Sequence, residues 1–413
     1  MPRRLASQHM KLPGIRPRKV APNAGADGEC PAPQQGADRP LLPNLLSRYS
    51  SEGGGERAEP ENAGRSGGEA SRRPGVSRED FEVLSLLGQG GFGEVKLVKC
   101  TVNGQMYAMK ALEKSAILER RHFGDDGARG RVQAERDIGV LASQWNCPFI
   151  IELFATFQTR DKLYFVFDYC PQGDLFERLL EQPNSRFEEA TACFYTAEVC
   201  VALEHLHTHD AIHRDVKLEN MLLASDGHVK LADFGIAKMN LSPEGARPSY
   251  AFGEGSSMAF YPPEFRRGEA YGKDLDCWQL GVAAFLMLSG RLPEPDGPVV
   301  LKGVSAPAAD FCRQLLAADR RRRLGYPSGA CQLRRHGFFR GLSWPALEAR
   351  ALAPPGQGAV QPAATEAEPR LGGPVRPTQN LKGQKSGLFR LHRFTFVGSL
   401  FSGWGRARSR VSL

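Results

Sequence analysis

A polar run near the middle of the chain constrains its fold more than any other feature. Residues 212–220 read IHRDVKLEN, and Asp233 then opens the tripeptide DFG. Phosphoryl transfer requires a protein to position a hydroxyl, hold metal-bound phosphates and neutralise the negative charge that gathers. Asp215 could serve the hydroxyl, Lys217 the phosphate, and Asn220 with Asp233 a metal ion. The run therefore predicts a phosphoryl-transfer site rather than a charged surface loop.

A glycine-rich turn between two apolar runs predicts a phosphate cradle. Residues 81–87 (FEVLSLL) predict a strand, and residues 95–98 (VKLV) predict a second one after the turn. Glycine lacks the side chain that would keep backbone amides away from phosphates. The pattern alone also fits a plain hairpin, whereas a dinucleotide-binding fold would place a helix after it. We assign nucleotide binding to Gly88, Gln89, Gly90, Gly91, Phe92, Gly93 and Val95.

A lysine and a glutamate extend the predicted nucleotide site. Lys110 ends the run YAMK, which predicts a strand soon after the glycine turn. Residues 132–141 (VQAERDIGVL) carry apolar residues at helical spacing, so we predict a helix there and choose its Glu135 as the partner of Lys110. Residues 122–131, which contain three glycines, predict a loop before that helix. The alternative for both charged residues is an ordinary exposed position.

An apolar run further on predicts another strand and a connector between two lobes. Residues 163–170 read LYFVFDYC, and their backbone groups could hydrogen-bond an adenine. Phe167 could stand at the back of the nucleotide pocket or belong to the ordinary core. We include Asp168 and Cys170 among the nucleotide-binding residues.

Composition divides the chain of 413 residues into a folded centre and two tails. Residues 1–78 are rich in Pro, Gly, Arg and Glu and carry few periodic apolar residues, so we predict that they are disordered. Residues 81–339 alternate apolar runs with turn signals over a length that suits a bilobal unit. Residues 340–413 form the third region, a C-terminal tail.

Charge and cysteine usage argue against several other functions. The net charge of +8 lies largely in the tails and in the four consecutive arginines 320–323, and the centre shows no basic face interleaved with aromatic residues. We therefore predict no nucleic-acid partner. The nine cysteines occur singly, which indicates neither a zinc site nor a disulfide framework. Without a signal peptide or an apolar run of ~20 residues, we expect no transmembrane segment and a cytoplasmic, also nuclear, location.

These motifs together resemble those of eukaryotic serine/threonine protein kinases of the AGC group, with protein kinase C and ribosomal S-six kinase features mixed. Further signs of the group are AER at 134–136, CFYTAE at 193–198, RLG at 323–325 and HGFF at 336–339. The resemblance implies an α+β, bilobal protein kinase fold. A small β-rich N-lobe and a larger helical C-lobe would be flanked by a disordered N-terminal region and a C-terminal regulatory tail.

The resemblance also implies a role for each residue of the site. Lys110 would contact the α- and β-phosphates of ATP and pair with Glu135. Asp215 would accept or orient the proton of the substrate hydroxyl. Asn220 and Asp233 would hold Mg²⁺.

The same resemblance bears on the substrate. Lys217, two residues after the catalytic aspartate, is similar to the serine/threonine rather than the tyrosine kinase pattern and would face the γ-phosphate. Ile236 is similar to residues that, at this position, favour threonine as the phosphoacceptor. Asp174, which we also assign to the nucleotide site, and Glu219 match acidic positions that receive an arginine upstream of the phosphoacceptor. Opposite charges in a cleft favour basic substrates in any case.

Two structural pairings in the large lobe follow from the resemblance. Glu264 of the tripeptide PPE would pair with Arg323. Asp276 would brace the backbone of the catalytic loop.

The segment between DFG and PPE departs from the family pattern. Depending on alignment, Ala251 or Gly253 occupies the usual phosphorylation site, and neither can be phosphorylated. Glu254 could supply a permanent negative charge, or Ser249 could serve instead. We therefore predict activation without phosphorylation at the usual position.

The large lobe is also shorter than usual. Fewer residues separate Trp278 from Arg323 than is usual in the family. Residues 291–298 (RLPEPDGP) stand where the family normally has a loop and a helix. We predict an effect on substrate docking or stability, and none on the phosphate chemistry.

The C-terminal tail resembles the regulatory extension of the group. Residues 391–396 (LHRFTF) are similar to its hydrophobic motif, with Leu391 in place of the leading aromatic and Thr395 as the phosphorylation site. Added charge at Thr395 could hold the tail in place. The alternative is that residues 387–413 form a basic, amphipathic stretch that contacts a membrane surface or a partner.

The leading functional hypothesis is a serine/threonine protein kinase that transfers the γ-phosphate of ATP to proteins with basic residues upstream of the acceptor. The competing hypothesis is a pseudokinase scaffold that binds nucleotide and partners with little turnover. A kinase of small molecules or lipids is disfavoured by the PPE and Asp-x-Trp elements. Expected partners are protein substrates and an upstream activating kinase, and we expect a monomer.

Overall fold

A computed structural model of the chain describes residues 76–90, 93–119, 127–241, 245–246, 258–355 and 396–397. The strands are β1 (Phe81–Gly90), β2 (Gly93–Cys100), β3 (Met106–Glu113), β4 (Leu153–Gln158), β5 (Lys162–Asp168), β6 (Met221–Leu223), β7 (Val229–Leu231) and β8 (Phe396–Val397). The helices are α1 (Lys114–Glu119), α2 (Gly127–Trp145), α3 (Leu175–Leu180), α4 (Glu189–Thr208), α5 (Pro263–Arg266), α6 (Asp274–Ser289), α7 (Ala306–Leu315) and α8 (Trp344–Glu348).

The first lobe is built on an antiparallel sheet in the order β1-β2-β3-β5-β4, with the short β8 against β4 at its edge. Aromatic side chains fill one face of the sheet, where Phe81 stacks on Phe157 and Tyr107 on Phe154. The glycine turn joins β1 to β2, as predicted, and Gly93 lies so close to β3 that a Cβ atom there would sit 1.8 Å from the Ala111 carbonyl oxygen. Only glycine fits at that position.

Helix α2 packs on the other face of this sheet. Its Val132 and Val140 join Leu112, Leu153 and Phe165 in an apolar cluster. The predicted helix is confirmed, but it begins at Gly127, so the loop predicted for residues 127–131 is wrong. Residues 122–126 lie outside the described part of the chain. Glycine lowers helix propensity, and here packing of the following turns onto the sheet outweighs that local preference.

The second lobe is helical and is organised around α6. Each residue of α6 except Ser289 is buried, so this helix is surrounded by protein on all sides. Helices α4 and α7 pack against it, and the short β6–β7 hairpin lies beside α4. The large lobe therefore holds α6 rigidly, with its first two turns beneath residues 212–220.

Residues 290–305, between α6 and α7, contain neither helix nor strand, as the shortened interval predicts. Arg266 closes this stretch by a bidentate ion pair with Asp296 (3.0 and 2.5 Å). After α7, the chain forms short 3₁₀ turns, and Phe338 and Phe339 of the turn at residues 337–339 pack on Phe311 of α7.

The ordered lobes extend beyond the boundaries that composition suggested. Val76 is buried in the core of the small lobe, although we assigned it to the N-terminal region. Leu347 of α8 is buried in the core of the large lobe, although we assigned it to the tail. Within the described residues the cysteines are free thiols, and none of the helices is long and apolar enough to cross a membrane.

Candidate active site

The two lobes meet at Lys110 of β3, whose ammonium lies between two carboxylates. Its Nζ is 2.6 Å from Oε1 of Glu135 on α2 and 3.1 Å from Oδ1 of Asp233. Glu135 is buried, and the side chain of Lys110 is 23% exposed. The pairing predicted between Lys110 and Glu135 is confirmed, and Asp233 lies in the same cluster.

These ion pairs shift the acid–base properties of the cluster. Although burial works against its charge, Asp233 and Glu135 hold the pKa of Lys110 above its usual range. The positive charge of Lys110 lowers the pKa of Asp233 to about 2, although partial desolvation of the carboxylate works in the opposite direction. Asp233 is therefore an ionised carboxylate at neutral pH, as a metal ligand must be.

The loop formed by residues 212–220, which we call the catalytic loop, brings together three more of the predicted residues. Lys217 Nζ lies 2.7 Å from Oδ2 of Asp215, and the side-chain nitrogen of Asn220 donates to the same oxygen at 2.9 Å. That nitrogen also donates to the backbone carbonyl of Asp215 at 2.7 Å. Two donors from the same loop thus fix the direction of the Asp215 carboxylate.

Asp276 on α6 holds this loop from below. Its two oxygens accept hydrogen bonds from the backbone N–H groups of His213 and Arg214, both at 2.8 Å. Burial opposes its negative charge, yet hydrogen bonds from His207 and the His213 backbone leave the pKa of Asp276 lowered. The predicted brace is confirmed.

Arg214 carries its own side chain into the segment after DFG. The guanidinium donates to the backbone carbonyls of Ile236 and Ala237 and, at 2.9 Å, to the hydroxyl of Tyr271. These contacts tie the catalytic loop to the start of the segment between DFG and PPE, which we call the activation segment. The alternative phosphorylation positions, Ser249, Ala251, Gly253 and Glu254, lie outside the described residues.

The strand registers place the glycine turn over this cluster. Gly88 pairs with Val95, Gln89 with Glu94 and Gly90 with Gly93 across the β1–β2 hairpin. Val95 in turn pairs with Lys110 on β3. Gly91 and Phe92, at the tip, lie outside the described residues.

Three further residues were assigned to the nucleotide site, and two of them have structural partners. The carboxylate of Asp168, at the end of β5, forms an ion pair with Lys230 (2.7 Å), and Asp174 caps α3 by accepting from the Glu177 N–H (2.8 Å). Burial raises the pKa of the Cys170 thiol to about 12, which keeps it protonated. Lys230 was missed by sequence reasoning, because a lone lysine on a short hairpin carries no motif.

A cavity of about 150 Å³ adjoins the cluster. Lys110, Glu135, Asp215 and Asp233 border it, together with apolar side chains of α1 and α2 such as Ile117. The carboxylates of Asp215 and Asp233 thus border one accessible space between the lobes.

A buried ion-pair network supports the far side of the large lobe. Arg323 contacts Glu264 at 2.6 Å and Asp274 at 2.9 Å, and its guanidinium lies over the ring of Trp278. The predicted Glu264–Arg323 pair is confirmed, and Asp274 adds a second carboxylate.

Comparison with known proteins accounts for this arrangement. The description "Protein kinase domain" matches residues 81–339, which is more than half of the chain. The chain belongs to the protein kinase family. The bilobal α+β fold predicted from the sequence is thereby confirmed.

Similar kinases come from several organisms. Protein kinase C-like 1 of Caenorhabditis elegans is 38% identical over 67% of this chain and 39% of its own length. Serine/threonine-protein kinase Sgk2 of Homo sapiens is 35% identical over 69% of this chain and 77% of its own length. Protein kinase C zeta type of Oryctolagus cuniculus is 31% identical over 84% of this chain and 60% of its own length. The chain thus spans less than two thirds of several relatives that it matches.

These relatives belong to the AGC group, as the sequence motifs indicated. A protein kinase domain implies ATP as substrate, typically a divalent metal, and protein acceptors.

Proposed function

We propose that this chain is an active serine/threonine protein kinase that transfers the γ-phosphate of ATP to proteins. The observation that carries the proposal is the joined cluster of Lys110, Glu135 and Asp233 beside the Asp215 carboxylate. Phosphoryl transfer depends on this kind of positioning and charge, since the protein contributes little covalent chemistry. Human Sgk2, which this chain matches over 77% of its length, is named a serine/threonine-protein kinase.

Each residue of the cluster receives a role in this reaction. Asp215 orients the acceptor hydroxyl and takes its proton, because its carboxylate is held in one direction by Lys217 and Asn220. Lys110 binds the α- and β-phosphates, kept charged and in place by Glu135. Lys217 stabilises negative charge on the transferring phosphate.

The donor set suits Mg²⁺. Among the described residues, no three or more His, Cys, Asp or Glu side chains are grouped to hold a metal, so a protein cage is not formed there. Magnesium instead takes one or two carboxylate or amide oxygens and completes its shell with phosphates and water. Asp233 offers an ionised carboxylate, and Asn220 offers its amide oxygen because its nitrogen is committed to Asp215. When bound, the ion supplies positive charge at the phosphates.

We further propose that the acceptor lies downstream of basic residues. Glu219 is exposed next to the catalytic loop, and Asp174 is half-buried at the start of α3 with Glu177 exposed beside it. Carboxylates so placed raise the local concentration of cationic peptides and favour arginine at matching positions. The substrates themselves are proteins, as the family implies.

Regulation is proposed to involve the tail. Phe396–Val397 adds a short antiparallel strand to the edge of the small lobe, pairing with Thr156 and Ala155 of β4. This pairing supports docking of the hydrophobic motif over the alternative of membrane contact. Thr395, the proposed target of an upstream kinase, lies outside the described residues, and the monomeric state and the cytoplasmic or nuclear location stay predictions.

A peptide library tests the proposed function. Purified full-length protein with ATP and Mg²⁺ should phosphorylate serine or threonine peptides, with arginine favoured upstream. Glu219→Gln should weaken that arginine preference while leaving phosphate transfer to neutral peptides unchanged. Measurable nucleotide binding without transfer to any peptide would contradict the proposal and favour the pseudokinase scaffold.

A further inference from the structure

Gln279 is a buried polar side chain on α6 to which the proposed reaction assigns no role. It lies one helical turn after Asp276 and is 1% exposed. Its Nε2 donates to the backbone carbonyl of Arg214 at 2.8 Å, and its Oε1 accepts from the backbone N–H of Val216 at 3.0 Å. Both hydrogen bonds thus reach the catalytic loop.

The two backbone atoms that Gln279 contacts belong to the peptide groups on either side of Asp215. The Arg214 carbonyl is part of the peptide that precedes Asp215, and the Val216 N–H is part of the peptide that follows it. Holding both peptide planes fixes the backbone of Asp215 and therefore the direction in which its side chain leaves the chain. Gln279 acts on the peptide groups of Asp215 itself, whereas Asp276 accepts from the N–H groups of His213 and Arg214, the two residues before Asp215.

The loop needs such support because its backbone is strained at this point. Arg214 has a φ of +69°, in the left-handed region that residues with side chains seldom adopt. Strain of this kind persists only where surrounding contacts over-determine the conformation. Asp276 and Gln279 together provide those contacts from one rigid helix.

The chemistry of the two contacts selects an amide. The Arg214 carbonyl can only accept and the Val216 N–H can only donate, so the partner must donate from one atom and accept at another. A carboxylate accepts at both atoms and an aliphatic side chain offers neither function. The same argument fixes which end of the Gln279 amide is nitrogen.

We propose that Gln279 is a positioning residue for phosphate transfer, aligning Asp215 by clamping both peptide groups that flank it. This inference rests on the proposed kinase function. Misplacing a reacting group by about 1 Å can cost on the order of 10²-fold in rate. Loss of Gln279 should therefore slow the transfer step and leave substrate binding nearly intact. Gln279 contacts the backbone around Asp215 and does not hold the phosphate-binding Lys110.

The test compares Gln279→Met with the wild-type protein in single-turnover phosphate transfer at saturating ATP and peptide. Methionine keeps the length of the side chain and removes both hydrogen bonds. We expect the transfer rate to fall about tenfold to a hundredfold, with KM for ATP and peptide changed by less than about threefold. Gln279→Ala provides a second variant that adds no volume if methionine prevents folding.

Gln314→Met is the matched control. Gln314 lies on α7 and donates to Asp310 at 2.7 Å, away from the catalytic loop, so its loss should leave the transfer rate within about twofold. A transfer rate for both Gln279 variants within threefold of wild type, or a raised KM with an unchanged rate, would overturn the inference. An inactive wild-type protein would instead refute the proposed function.

Discussion

At the scale of single residues, the site works by placing opposite charges around groups that must stay ionised. Lys110 is held by two carboxylates, and its positive charge lowers the pKa of Asp233 to about 2. Asp215 is held by Lys217, Asn220 and, through its backbone, Gln279. Positioning in this site is therefore shared by many short contacts.

Glu135→Gln tests the first of these contacts. The substitution keeps the shape of the side chain but removes its charge, so Asp233 alone attracts the Lys110 ammonium and draws it away from the phosphate position. We expect kcat/KM for ATP to fall by about tenfold to a hundredfold, mainly through weaker nucleotide binding. The control is Glu113→Gln. Glu113 lies on β3, as Lys110 does, but pairs with Lys162 at the surface, so this variant should leave kcat/KM unchanged. Equal values for the two variants would show that the Lys110–Glu135 pair does not organise the site.

At the scale of elements, local signals in the sequence predicted most of what the structure shows. The glycine turn, the strand of Lys110, the helix of Glu135 and the catalytic loop each carry a motif or a period that is legible in a short window. Residues 127–131 were assigned to a loop because glycine dominates locally, whereas packing against the sheet makes them helical. Gln279 and Lys230 could not be predicted, because neither belongs to a recognisable motif and each acts on a partner more than 60 positions away in the chain.

The connection between α5, α6 and the 3₁₀ turn of residues 320–322 supplies a prediction about stability. Arg323 is fully buried between Glu264 and Asp274, so Arg323→Ala would leave the buried Glu264 carboxylate without its cation and Asp274 with Arg320 alone. We expect a loss of about 3–5 kcal/mol in the free energy of unfolding. Arg321→Ala removes an exposed arginine from the same run and should change that free energy by less than about 0.5 kcal/mol. Chemical denaturation measures both, and similar losses for the two variants would contradict the role of the buried network.

At the scale of the whole molecule, catalysis requires both lobes to present their residues to one space. Lys110 and Glu135 come from the small lobe, while Asp215 and Asp233 come from the large lobe, and the Lys110–Asp233 ion pair joins them. Arg214 anchors the start of the activation segment through the Ile236 and Ala237 carbonyls and the Tyr271 hydroxyl, which are neutral groups. These contacts of Arg214 fit a sequence that has no phosphorylatable residue at the usual position in the activation segment.

From the contacts of Arg214 we expect activity without phosphorylation of the activation segment. We expect Ser249→Ala protein to retain phosphate transfer within about threefold of the wild-type enzyme, because the usual loop position holds Ala251 or Gly253 and Arg214 already donates to the Ile236 and Ala237 carbonyls. Initial rates on one peptide substrate provide the measurement. Loss of all activity in Ser249→Ala would show that this serine is the switch.

The most direct measurement compares wild-type and Asp215→Asn proteins on one arginine-containing peptide made with serine, threonine or tyrosine as acceptor. The proposed function predicts that wild-type protein phosphorylates the serine or threonine peptide and leaves the tyrosine peptide unmodified. Asp215→Asn should bind ATP normally and transfer phosphate about 10²–10⁴-fold more slowly, as expected for loss of the group that takes the hydroxyl proton. Wild-type protein that binds ATP and transfers nothing, or a variant as fast as wild type, would contradict the proposed function.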